Sequence, residues 1–456
     1  MRELVRRNLG FFLAVSAAAL LLRLIFVIRF PGVVNDSFVY GDIAKNWLEH
    51  GIYGLSGTQE ISPTYIRLPG YPAFLALVFA IFGMEHYRAV LGVQVVVDLM
   101  TCFISASIAR RQLGPGPAKT AFVLAALCPF LADYSAAALT ETLEVFATAT
   151  AFYCALRALE QESFGHWVGC GLASGAATLL RPDGALVPIS IASYLTLRAV
   201  ARRRAAAPGI PRRHLVQAAL VVAGVSMLPL VPWTVRNWRI FHQFQPLAPR
   251  YANEEGEFIP AGFNRWVKTW IADYVSVEEI YWQEPGNTID AHQLPRRAFD
   301  TVDEQRQTFD LISDYNRMLR VAPELDGRFE TLAADRIRRH PFRYYFGLSM
   351  LRITDMWLRP RTEILPADSR WWEFDDEPRW SVLAVAFGVI NLGYVLSAAA
   401  GALLCRKLRF TALLLLFIAL RSAFLGSLEN PEPRYTLEMY PVVTILAGAA
   451  LVRRRK

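Results

Sequence analysis

The side chains able to hold a proton or an anion are gathered in a few short stretches between long apolar runs. The first stretch holds Asp36, Tyr40 and Asp42, followed by Arg67 and Tyr71; later ones hold Glu141, Arg236 and Arg434. A carboxylate beside a reacting hydroxyl can take its proton, and a guanidinium can hold phosphate oxygens through two parallel hydrogen bonds. Asp36 and Tyr40 stand four apart, so on a helix they share a face with Ala44 and Trp47. Asp42 lies about 240° round the same helix from Asp36, so the two acids do not form a local pair. Each residue also fits a structural role. Asp36 reads as the N-cap of a helix that Gly51 closes, Asp42 as a partner of Lys45 or Asn46, and Glu141 as an acid capping a span. Arginines at membrane ends reach lipid headgroups, and Tyr40, Tyr65 and Trp233 suit an interfacial belt.

The elements that must position these groups are membrane helices. Apolar runs at residues 9–28, 90–108, 215–233, 381–404, 410–425 and 440–452 approach or reach the ~20 residues that cross a bilayer as a helix. None shows the alternation of a membrane barrel, so the expected fold is an all-α polytopic bundle. Arg2, Arg6 and Arg7 precede the first run, which lacks a cleavage site and reads as a retained span. Further basic clusters lie at Arg110, Arg111 and Lys119, at residues 198–213, at Arg406, Lys407 and Arg409, and at residues 453–456. The positive-inside rule puts these on the cytoplasmic side. They agree only if residues 70–83 do not cross, which their shortness and Gly-Tyr-Pro start support. The result is about ten spans in a plasma (inner) membrane, with both termini cytoplasmic. Three regions follow: residues 1–233 with a first outer loop at 29–88, a large extracytoplasmic loop at 234–379, and C-terminal spans at 380–456. The large loop should carry helices of its own, for example residues 326–340 ahead of Pro341.

Several chemistries are excluded. The short cytoplasmic loops leave no room for a nucleotide-binding domain, and neither GxxxxGK[ST] nor a strand-linked GxGxxG is present. The prolines of Gly114-Pro115-Gly116-Pro117 remove the amides a phosphate loop needs. The seven histidines never reach a zinc-binding spacing. The five cysteines all fall in apolar segments and read as buried thiols. The formal charge of +8 sits beside apolar runs, not on a basic face for nucleic acid. Asp98, deep in an apolar run and nearly the only such charge, must face the bundle and find a partner. Arg181-Pro182-Asp183 reads as a local pair at a turn. Trp266, Trp270, Trp282, Trp371 and Trp372 suit either sugar stacking or loop packing.

Four motifs in order carry a resemblance: Asp36, Tyr40 and Ala44 with Arg67-Leu68-Pro69-Gly70-Tyr71-Pro72; Asp133-Tyr134 with Leu139-Thr140-Glu141-Thr142-Leu143; Pro232-Trp233-Thr234-Val235-Arg236-Asn237 closing the seventh span; and Glu432-Pro433-Arg434-Tyr435 before the last. Together they resemble the GT-C glycosyltransferases that use polyprenyl-phosphate sugars, the protein O-mannosyltransferase and aminoarabinose transferase superfamily. Ser37 stands where many members carry a second acid. The resemblance implies an inverting hexosyl- or pentosyltransferase working on the extracytoplasmic face. Its donor would be a polyprenyl-phosphate sugar and its acceptor a hydroxyl of an envelope glycan, lipid or protein. It implies Asp36 as general base, with Glu141 positioning the acceptor, assisting Asp36 or binding a divalent ion. Arg67, Arg236 and Arg434 would hold the donor phosphate, and Tyr40, Asp42 and Tyr71 would position substrate. No dedicated metal site is implied, although the outer carboxylates leave room for Mg²⁺ or Mn²⁺ without requiring either. The competing classes are a transporter or lipid flippase, which would show ionisable residues near the midplane and related halves, and a non-catalytic envelope-assembly protein.

Overall fold

The structure is a computed structural model and describes residues 1–58, 60–201, 210–374, 377–406 and 408–452. Much of the basic cluster at 198–213, Lys407 and residues 453–456 lie outside the described residues. The chain forms two compact units. The first is Met1–Glu254, Gly393–Leu420 and Leu437–Lys456; the second is Glu255–Leu392 and Arg421–Thr436. The second unit thus starts later than residue 234 and takes in a segment from the C-terminal region.

The first unit opens with α1 (Leu9–Arg29), a helix of 21 residues, and then α2 (Asn35–His50). Gly51 ends α2 in the left-handed conformation at φ 69°, where a residue without Cβ carries no penalty. The N-cap of α2 is Val34, and Ser37 Oγ accepts the Val34 N–H at 3.1 Å. Asp36 therefore sits inside the first turn and is not the cap expected from the sequence. A hairpin of β1 (Gly54–Ser56) and β2 (Ile61–Pro63) follows, and then α3 (Gly70–Phe82). Thirteen residues rise only about 20 Å, short of a hydrocarbon core of about 30 Å. Both ends of α3 stay beside α2. Tyr71 at its start meets the Tyr40 ring, and Tyr87 just beyond its end donates to Ser37 C=O at 3.2 Å. α3 is thus an apolar helix shorter than a full span, held against α2 at both ends.

Next come α4 (Tyr87–Leu113), α5 (Pro115–Ala126), α6 (Pro129–Ser135), α7 (Glu141–Gln161) and α8 (Phe164–Leu180). A 3-10 turn at Pro182–Ala185 leads into α9 (Leu186–Ala201), then α10 (Arg212–Met227) and α11 (Leu230–Phe241). The apolar run at 215–233 is not one straight span, since α10 and α11 meet at 41° beside Pro229. The Pro232–Asn237 motif consequently lies within α11 and does not end a helix.

The second unit contains α12 (Ala261–Lys268), α13 (Val302–Met318), α14 (Pro323–Arg339) and α15 (Leu348–Leu358). α14 covers the expected 326–340 helix and starts three residues earlier, with Pro at its first position. Trp266 and Trp270 are enclosed in this unit's core with Phe263, Phe329 and Tyr315, so neither stacks on a sugar; Trp282 and Trp372 stay exposed. α16 (Pro378–Cys405) and α17 (Arg409–Gly426) divide between the units. α18 (Tyr440–Leu451) is buried in the first unit against α4 and α5. Against about ten expected spans, four helices among the described residues are long and apolar enough to cross, or six if each bent pair counts as one.

Asp98 has the partner its depth demands. Arg23 of α1 donates from Nε to Asp98 Oδ2 at 2.6 Å, and its Nη1 reaches Ala126 C=O at 2.6 Å and Ala19 C=O at 3.0 Å. Asp98 is therefore not nearly alone: a second charge sits in the first span. Removing one partner of a buried, hydrogen-bonded pair typically costs about 3–5 kcal/mol, whereas replacing both by apolar groups is often neutral. Arg23→Met should lower the thermal midpoint sharply in detergent, and Arg23→Met/Asp98→Leu should recover most of the loss. Equal midpoints for the single and double variants would contradict this pairing.

Candidate active site

The site is assembled in the first unit where α2, the start of α3, the 135–137 turn and the end of α8 meet. Two close backbone approaches bring these parts together. Gly32 pairs with the 136–138 strand-like segment, donating to Ala136 C=O and accepting from Ala138 N–H, both at 2.8 Å. A Cβ on Gly32 would stand 2.9 Å from Ala137 Cβ, and one on Gly70 would stand 2.6 Å from Leu179 C=O. Gln94 of α4 secures the turn: its Nε2 donates to Ala137 C=O at 2.6 Å and to Ser135 C=O at 3.4 Å. The same side chain accepts from Tyr71 Oη at 2.8 Å.

Tyr71 packs edge-on against Tyr40, with ring centroids 5.1 Å apart. Arg67 lies over the other part of the Tyr40 ring, 5.7 Å from its centroid, and donates from Nη2 to Asp36 Oδ1 at 2.9 Å. Burial pushes the Tyr40 hydroxyl up to about 12, and the charges acting on it come from Arg67 and Asp36 and from Arg181 and Glu141. Tyr40 thus stands within the field of two arginine–carboxylate groups. In the second, Arg181 Nη1 meets Glu141 Oε1 at 3.4 Å, and Nε meets Glu144 Oε2 at 3.3 Å and Asp183 Oδ1 at 3.1 Å.

The two groups differ in access. The side chain of Asp36 is 38% exposed and that of Arg67 22%, against 2% for Glu141 and 0% for Glu144. An entering hydroxyl can meet Asp36, whereas Glu141 faces Arg181 from within the protein. The Arg181–Asp183 contact expected from sequence is present as one arm of a larger cluster. Its link to Glu141 and Glu144 could not be read locally; the available signal was a lone arginine ending an apolar helix beside a proline.

The other expected residues go elsewhere. Asp42 does not pair with Lys45 or Asn46: its carboxylate accepts from Ser56 N–H at 2.7 Å and Ser56 Oγ at 2.6 Å, fastening the hairpin to α2. Arg236 donates to Tyr53 C=O and Thr64 C=O, each at 2.7 Å, and lies over the rings of Tyr53, Trp233 and Phe241. Its guanidinium stitches the first loop onto α11. Arg434 belongs to the second unit, where it is ion-paired with Glu432, Nε lying 2.6 Å from Oε2. Among the described residues no group of three or more His, Cys, Asp or Glu is arranged to hold a metal ion. An apolar cavity of about 630 Å³ opens between α9, α10 and α11, lined by Ile189, Ala192, Met227, Val231 and Phe244. Thr178 and Ala185, either side of Arg181 in sequence, complete its wall.

Residues 64–233 match the family described as dolichyl-phosphate-mannose-protein mannosyltransferase. No curated protein matches the chain by sequence. Among solved structures, the oligosaccharyltransferase AglB of Archaeoglobus fulgidus, in complex with an inhibitory peptide and a dolichol-phosphate, is 14% identical with a TM-score of 0.50. That match covers 95% of this chain and 50% of AglB, so the chain spans about half the length of that enzyme. ArnT of Cupriavidus metallidurans, bound to undecaprenyl phosphate, is 15% identical with a TM-score of 0.41, covering 96% and 77% of the two chains. The chain is a helical membrane protein of the GT-C fold, and its residues 64–233 match the dolichyl-phosphate-mannose-protein mannosyltransferase family.

Proposed function

We propose that the chain is an inverting glycosyltransferase that moves a sugar from a polyprenyl phosphate to a hydroxyl of an envelope glycan, lipid or protein on the extracytoplasmic face. The observation that carries this reading is the accessible Asp36–Arg67 pair beside Tyr40, in a chain of this fold.

A carboxylate can take the acceptor proton, and a guanidinium can take the charge of a departing phosphate. Asp36 removes the hydroxyl proton as the acceptor oxygen attacks C1 of the sugar. The C1–O bond to the lipid phosphate breaks, and the phosphate leaves with the bonding pair. One displacement inverts C1. Arg67 serves both partners: an arriving phosphate competes for its guanidinium and frees the Asp36 oxygen it covers. Glu141 acts from behind, holding Arg181, and Tyr40 and Tyr71 form the wall against which the sugar is held. Asp42 and Arg236 act indirectly by fixing the loop that carries Arg67. The apolar cavity flanking Arg181 suits the first isoprene units of the donor. The three regions assigned from sequence are proposed as two membrane modules around an outer domain.

The test uses the purified full chain in lipid nanodiscs with undecaprenyl-phosphate hexose or aminopentose and a panel of hydroxyl acceptors. Wild-type protein should transfer sugar, and loss of a general base should slow Asp36→Asn by about 10²–10⁴-fold while undecaprenyl phosphate still binds. Transfer by a folded Asp36→Asn at the wild-type rate would overturn the base assignment. EDTA in the same assay reports on a requirement for Mg²⁺ or Mn²⁺.

Glu141→Gln separates holding from chemistry. An interaction made equally in ground and transition states shifts KM and leaves kcat alone. The variant should raise the donor KM by about tenfold, a change of about 1.4 kcal/mol, with kcat within about twofold. A collapse of kcat at unchanged KM would instead put Glu141 in the chemical step.

A further inference from the structure

The second unit carries a helical segment whose exposed face is unlike the surface of a water-soluble domain. After α14 ends, a π-helical turn at Arg343–Gly347 runs directly into α15. Phe342 is 72% exposed, Tyr345 69% and Phe346 52%, and Met350 and Leu351 continue the exposed apolar surface. Contiguous large apolar groups of this kind mark an interaction surface.

The opposite face is fixed. Leu348, Arg352 and Met356 are buried, and Arg352 donates to the carbonyls of Ile271 at 2.9 Å, Lys268 at 2.5 Å and Gly426 at 3.3 Å. Arg343 is held by Asp300 through two bonds of 2.6 and 2.9 Å. The aromatic face therefore cannot roll inward without breaking these contacts.

Three hydrogen bonds tie the segment to apolar helices within this unit. Asn391 Nδ2 donates to Trp357 C=O at 2.7 Å and to Arg359 C=O at 3.2 Å. Asn391 lies well inside the apolar run of α16 that begins at Ser381. Trp357 Nε1 also donates to Ser422 Oγ of α17 at 3.0 Å. The far end of α15 is thus bonded to the apolar helices α16 and α17, and to α16 well within its apolar run. Just before Phe342, Arg338 and His340 are exposed at the end of α14. Bulky apolar groups next to an exposed arginine match the boundary between hydrocarbon and anionic headgroups.

We propose that residues 342–358 form a membrane-embedded surface element, with Phe342, Tyr345 and Phe346 inserted into the acyl region of the leaflet at the Pro378 end of α16 and with Arg338 on lipid phosphates. The region expected from sequence to be a large extracytoplasmic loop is then partly lipid-facing. This holds whether or not the chain transfers sugar.

The test is collision accessibility of a nitroxide on Phe346→Cys in the full chain, in vesicles of phosphatidylethanolamine and phosphatidylglycerol. Cys154→Ser removes the one native cysteine that is not buried. The reference is Asp303→Cys, at a side chain 93% exposed in the same unit. The label at 346 should favour oxygen over a water-soluble nickel chelate severalfold relative to 303, and more so at higher phosphatidylglycerol content. Nickel access equal to that at 303 would overturn the proposal. So would exclusion of both reagents, which would mean that protein, including a second copy, covers the face. Tyr345→Cys is read alongside, and both variants must keep the wild-type thermal midpoint.

Discussion

Backbone and charge that leave water inside a membrane protein must find their partners within the chain. The first unit is organised by how it meets that demand. Arg23 answers Asp98 and two helix carbonyls between α1, α4 and α5. Gln94 answers the carbonyls of the 135–137 turn, where no helix could satisfy them. Arg236 answers the carbonyls of Tyr53 and Thr64, where the first loop leaves its hairpin. In each case one polar side chain from a helix donates to backbone carbonyls of another segment. These three clamps hold the loop, the turn and the helix ends in register. The groups near Tyr40 depend on all of them, because none of the segments carrying Asp36, Arg67 or Glu141 continues directly into another.

This arrangement sorts charged residues by what else they must do. An arginine that already serves two carbonyls and three aromatic rings has little capacity left for a ligand, which is the position of Arg236. Arg67 also touches a ring, but it is partly exposed and its carboxylate partner is accessible. The carboxylates sort likewise. Asp42 accepts two short bonds from Ser56, Glu141 and Glu144 lie behind Arg181, and Asp36 keeps contact with solvent. Type and spacing admitted all of these groups to a site; access and prior engagement separate them.

Much of this was legible in the sequence, and the remainder has identifiable reasons for being hidden. Helix identities followed from apolar runs, and the shortness of the helix at Gly70–Phe82 followed from the length of its apolar stretch. Asp36 and Arg67 were both singled out, but their contact depends on how the loop closes, which spacing does not encode. Arg23 was overlooked because one cation in a long apolar run barely changes the run's character, even though a charge there must be paired. Asp36 was legible as a cap by residue type, yet α2 begins two residues earlier, with Val34 at the N-cap and Ser37 Oγ accepting the Val34 N–H. The tryptophans of the large loop could not be apportioned between core and surface, since Trp266 and Trp282 differ in packing and not in local pattern.

The same constraint bears on why a site for a lipid-linked substrate would be built from paired charges at a membrane face. A phosphate at the end of an isoprenoid cannot leave the interface, so the protein must present a cation there while the site is empty. An uncompensated arginine in that setting is costly to bury, and a carboxylate held against it lowers that cost. The pair then has two competing partners: the carboxylate when the site is empty, the phosphate when it is filled. Exchange of one for the other requires only that a single guanidinium turn, because the group is planar and carries several donors. The Asp36–Arg67 contact, 2.9 Å long and open on one side, has the geometry such an exchange needs. The Arg181 cluster, closed behind by Glu141 and Glu144, does not; under the proposed function the first group would respond to substrate and the second would hold the wall behind it.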